Sequence, residues 1–152
     1  MRRLSRIGQA VWIFALVNCP GPEAEEPIDR LLARPFTEQG AYLSSLDPEQ
    51  QVVLCLLARG RQHPPNSDLD RVVVQQGGRT LPYLLAALAE SSERTVKLDA
   101  LRLIALMQEE EYYCVTCDAA ALETVKREVR GLGSSTWVDY FLEHLERSEF
   151  KQ

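Results

Sequence analysis

Residues 69–107 read LDRVVVQQGGRTLPYLLAALAESSERTVKLDALRLIALM. The spacing of their apolar residues decides the fold class. Leu81, Leu84, Leu85 and Leu88 fall at i, i+3, i+4 and i+7, which is one continuous stripe on a helix. Thr80 is placed to cap that helix, and Pro82 lies in its first turn, where no intrahelical donor is lost. Ser92 can cap a second helix lined by Val96, Ala100, Leu103 and Met107, with Leu101, Ile104 and Ala105 widening the stripe. Arg94, Asp99, Arg102 and Glu109 fall outside it. Neither helix can hide its stripe alone, so the pair needs neighbours.

The run VVVQQGGRTLPYLLAALAESSERTVKLDALRLIALMQ resembles one armadillo or HEAT repeat. In that family a Gly-containing turn leads into an L-P-x-L-L helix. A polar turn and a helix opening on Val and a basic residue follow. Gly77, Gly78, Leu81 to Leu85, Val96, Lys97, Ala100, Leu101 and Ile104 carry the likeness, over about residues 69–108. It implies a repeat architecture that binds other proteins, and such repeats serve many unrelated partners. An ordinary antiparallel pair in a globular bundle has the same pattern. The expected fold is all-α: antiparallel helical hairpins stacked as a short HEAT- or armadillo-like α-solenoid, or a compact helical bundle.

Outward from this centre, the other segments also read as helices. Asp47-Pro48-Glu49-Gln50 is a strong helix start, with Asp as N-cap and Pro at the first position. Val52 to Ala58 is apolar all round, so this helix belongs in the middle of the fold, ended by Gly60. His63-Pro64-Pro65-Asn66 is a loop. Ser67 and Asp70 have capping-box spacing. Val72 to Val74 allow a strand, but a helix closed by Gly77 suits the helical surroundings. Short helices are expected over Pro27 to Arg34 and Thr37 to Leu46. After Glu109 to Glu111, Asp118 can cap a helix whose inner face is Leu122, Val125, Val129 and Leu132, with Glu123 and Arg127 paired outside. Gly131 and Gly133 stop it. Thr136 and Asp139 have cap spacing before a last stripe of Trp137, Val138, Phe141, Leu142 and Leu145.

The 152 residues are 45% apolar and 26% charged, with a net charge of −5. That is a globular composition. Nucleic acid is not an expected partner, because phosphate binding needs clustered basic residues and only Arg2, Arg3 and Arg6 cluster. Those three precede an apolar run, Ala10 to Val17, which ends at Cys19 before a sharply polar stretch. A basic start, a short apolar core and an abrupt break are the parts of a signal peptide. The run is short of the roughly 20 apolar residues that span a bilayer. Leu16-Val17-Asn18-Cys19 resembles a bacterial lipobox, except that Asn18 stands where Gly, Ala or Ser is normal. The resemblance implies a signal peptide at 1–18, lipid on Cys19, an acidic Pro-rich tether at 19–27 and a helical domain at 28–150. Simple secretion, with cleavage after Cys19, is one alternative. Another is a cytoplasmic protein whose residues 4–17 form a first packed helix.

Cys114-Val115-Thr116-Cys117 is the one motif that could carry chemistry. As half a zinc site it lacks a second ligand pair, since His63, His144, Cys55 and Cys19 are not in paired spacing. Dithiol catalysis normally places the motif after a strand, and none is expected here. The remaining reading is a local disulfide before the helix at Asp118. Cys55 reads as a buried small hydrophobe, and His63 and His144 as surface residues. No Gly-rich phosphate loop, G-x-S-x-G or H-E-x-x-H occurs. The expectation is therefore a non-enzymatic interaction module, without metal or cofactor. It would bind a protein partner, be held to the membrane by a lipid, and face the periplasm from the bacterial cell envelope. A cytoplasmic adaptor is the alternative, and a thiol-disulfide protein using Cys114 and Cys117 is the third reading.

Overall fold

The central helix begins where Asp47 accepts a hydrogen bond from the Gln50 N–H at 3.0 Å, with Pro48 in the first turn. It carries Val52, Val53, Leu54, Cys55, Leu56 and Ala58, all buried. A helix with no polar face must be surrounded, and this one is. The computed structural model describes residues 22–133, 138–140 and 142–143, with side chains from Pro27 onward. Its helices are α1 (Pro22–Leu32), α2 (Phe36–Ser44), α3 (Pro48–Arg61), α4 (Ser67–Gln75), α5 (Leu81–Glu90), α6 (Arg94–Glu109) and α7 (Ala119–Gly131). Short 3₁₀ turns occupy Gly77–Arg79 and Val115–Cys117, and residues 138–140 and 142–143 are helical. No strand occurs among the described residues, so the fold is all-α.

Helix α3 packs against α1, α2, α4, α5 and α6, and α5 against α6 is the most extensive helix contact. The buried faces of that pair are Leu81, Leu84, Ala87 and Leu88 on α5, and Ala100, Leu101, Leu103, Ile104 and Met107 on α6. Leu85 and Val96 are half-buried at its margin. Helix α7 turns Ala121, Val125 and Val129 inward and packs on α5.

Several local expectations change. The chain is helical from Pro22, and Pro27 sits inside α1 instead of starting it. Gly60 does not end α3, which continues to Arg61. Thr80 makes no cap. Its hydroxyl is buried and donates to the Val73 carbonyl at 2.8 Å, tying the turn back to α4. At the start of α6 the turn is held by Ser91, whose hydroxyl accepts from the Glu93 N–H at 3.1 Å, while Ser92 lies outside the cap. Arg127 pairs with Glu128 at 3.0 Å instead of Glu123. Asn66, not Ser67, caps α4, accepting from the Asp68 N–H at 3.0 Å. That frees Asp70 from any capping role. Thr136, Trp137, Phe141, His144 and Leu145 lie outside the described residues, as does everything before Pro22.

Candidate functional site

Where α3, α4 and α6 meet, the core is charged. Arg59 follows Val52, Cys55 and Leu56 around α3 at helical spacing, so its side chain points inward, and it is 8% exposed. Asp70 lies one turn before Val73 and Val74 on the buried face of α4 and is 6% exposed. Asp99 lies one turn before Leu103 on α6. The Arg59 Nη1 donates to Asp70 Oδ2 at 2.6 Å, and Nε donates to Asp99 Oδ1 at 2.8 Å. One guanidinium fork thus ties three helices with charge-assisted bonds.

The electrostatics follow from the placement. Burial opposes the charge on Arg59, but the bonds to Asp70 and Asp99 outweigh it and raise its pKa further. The Cys55 Sγ lies 3.6 Å from Asp70 Oδ1, placed as a weak donor. Burial first, then the Asp70 carboxylate, push its pKa well above the ordinary value of 9.0. A thiol held protonated and out of reach of solvent is neither nucleophile nor metal ligand. The cluster can clamp helices. It offers no reacting atom to a substrate.

A second polar constellation lies at the other end of α6. Glu111 turns the chain with φ +60°, and the N–H groups of Tyr112 and Tyr113 both donate to the Met107 carbonyl, at 3.1 and 3.3 Å. Residues 110–118 then form a strap leading to α7. Gly77, with φ +54°, and Gly78 let this strap lie close: a Cβ at Gly77 would come within 2.7 Å of the Tyr112 carbonyl oxygen. Val115 is fully buried, and the Thr116 N–H donates to Gln108 Oε1 at 3.2 Å. Cys114 and Cys117 are joined as a disulfide, Cys114 half-buried and Cys117 exposed. Asp118 accepts from the Ala120 and Ala121 N–H groups at 3.1 and 3.0 Å, and from the Tyr113 hydroxyl at 3.0 Å. The Ala121 N–H, then the Tyr113 hydroxyl, hold the Asp118 carboxyl below its usual pKa. The same bond keeps Tyr113 protonated to higher pH.

The sequence-derived residues therefore fall in different places. Cys114 and Cys117 come together as expected. Cys19 lies outside the described residues. Cys55 is buried, and His63 is exposed in its loop. Asp99, expected to lie away from the packed face, instead joins the cluster from a half-exposed position, and the sequence reading did not single out Asp70 and Arg59 as its other members. Nothing local in the sequence signals them, because the one cation on α3 and the two anions on its neighbours are brought together only by the folded helices.

Among the described residues, no group of three or more His, Cys, Asp or Glu is arranged to hold a metal ion. No described helix is long and apolar enough to cross a membrane. No protein family, curated protein or solved structure matches the chain.

Proposed function

We propose that this chain is a helical protein-interaction module, HEAT-like in its α5–α6 pair, carried into the cell envelope by a signal peptide and anchored there through lipid on Cys19. The observation that carries the interaction reading is the exposure of large aromatic side chains on a firmly clamped scaffold. Phe36 is 47% exposed, Tyr112 41% and Tyr140 63%. Exposed aromatic residues are the type enriched at protein interfaces, and a rigid support lowers the ordering cost of binding. Arg59, Asp70, Asp99 and Cys55 are engaged with one another, which supports reading their polarity as scaffold. The anchor rests on Arg2, Arg3, Arg6, the run Ala10 to Val17, and Cys19.

Two measurements test the two halves. The intact mass of the full chain purified from its own cells is expected to correspond to a start at Cys19 with acyl chains attached. A mass that retains Met1 or Arg2 overturns the anchored reading and leaves the cytoplasmic adaptor. A photo-crosslinking residue placed at Phe36, Tyr112 or Tyr140 in turn is expected to give one discrete protein adduct from at least one position. No adduct from any of them overturns the interaction reading.

A further inference from the structure

We infer that the Cys114–Cys117 disulfide is a redox-operated latch on α7. Reduction frees the strap and loosens that one helix, while the body built on α3 and α6 stays folded. The inference does not depend on where the chain resides or on what it binds.

The placement carries the argument. Helix α7 has 13 residues, and helices shorter than about 12–15 residues are marginal alone. It must be held, and among the described residues its chief packing is on α5 and on the 3₁₀ turn at Val115–Cys117. The polar contacts of its first turn pass through the strap, while Ala121 packs into the core. Asp118 caps the free N–H groups of Ala120 and Ala121, and Tyr113 orients Asp118. Val115 anchors the strap in the core, and the disulfide closes the chain between Cys114 and Cys117 around it. Farther along α7, Lys97 pairs with Glu128 at 3.2 Å. Opening the disulfide restores rotational freedom at the residues between anchor and cap, so both are held less often. Cys117 is an exposed residue, so a small thiol can approach the bond from its side.

A latch fits this geometry better than an exchange catalyst. A catalytic thiolate draws support from a helix N-terminus. Here the Asp118 carboxylate already occupies the N–H groups of Ala120 and Ala121, and its negative charge disfavours a thiolate beside it. The reaction is a simple exchange with a dithiol reductant. Its thiolate attacks one sulfur and the S–S bond breaks. Its second thiolate then resolves the mixed disulfide. Two electrons and two protons pass to Cys114 and Cys117, leaving two thiols on the chain and a disulfide in the reductant.

Hydrogen exchange on the full chain tests this, comparing the oxidised form, the form reduced with dithiothreitol, and Cys114→Ser with Cys117→Ser. In the reduced form and the double variant, amides of Ala121 to Gly131 are expected to exchange about tenfold faster, as the loss of a small closed loop implies. Amides of α3 and α6 should keep their protection. Unchanged protection of α7 in both forms overturns the latch. So does an equal loss across all helices, which would make the bond a general staple. So does a disulfide that resists dithiothreitol while the protein is folded.

Discussion

The α5–α6 seam is closed to water and the α3–α4–α6 junction is closed except at Asp99, whose side chain is 28% exposed, and the two are held differently. The seam is dry and apolar: Leu84, Leu88, Leu101, Ile104 and Met107 are all 0% exposed. Such surfaces attract without direction, and their worth scales with area and fit. The junction encloses a cation between two carboxylates. Its attraction is directional, and the cost of desolvating the charges offsets much of the gain. One region is therefore strong because it is apolar. The other is intolerant of change because its polar partners need each other.

Substitutions should separate the two regimes. Asp70→Ala leaves the Arg59 charge buried with Asp99 as its remaining carboxylate. It is expected to cost about 3–5 kcal/mol in urea unfolding, as breaking a buried pair does. A loss below about 1 kcal/mol would mean that the junction admits water freely. Leu101→Ala in the seam should cost about 2–5 kcal/mol through the cavity it leaves. The decisive contrast is the combined replacement of Arg59, Asp70 and Asp99 by Leu. It should be near neutral if it repacks, whereas no combination of truncations in the seam should recover stability.

Gly77→Ala sets steric limits against both. It places a side chain at φ +54° and against the Tyr112 carbonyl, so a loss of about 1–2 kcal/mol or more is expected in the same assay. The smallest effect is electrostatic and at the surface. Asp118 has a lowered folded-state pKa, so its contribution is complete above the ordinary value of 3.8 and is lost as pH falls through the lowered one. Asp118→Asn should flatten the acid limb of the stability curve there, and an unchanged limb would separate the cap from α7 stability.

The apolar half of this contrast was legible in the sequence and the charged half was not. The 3.6-residue spacing of Leu81, Leu84 and Leu88 marks a buried face whatever it packs against. The uniform apolarity of Val52 to Ala58 places α3 at the centre. Asp47 and Asp118 cap as their local sequence dictates, because a cap involves only neighbours in the chain. Arg59, Asp70 and Asp99 pair over 11 and 40 positions, and each reads alone as an ordinary surface charge. Asp70 was more misleading still, since its spacing from Ser67 imitates a capping box. Thr80 failed as a cap for a related reason: its backbone is helical rather than extended, and its hydroxyl found the Val73 carbonyl.

The junction also constrains how this chain can change over generations. Each of the three charged positions is tolerable only in the presence of the others, so a drift at one strands its partners. Viable sequences are separated by steps that must be taken together or through a weakened intermediate. Relatives of this protein should therefore keep positions 59, 70 and 99 as a charged set, or replace them as a set, while the leucines of the seam exchange freely with residues of similar volume.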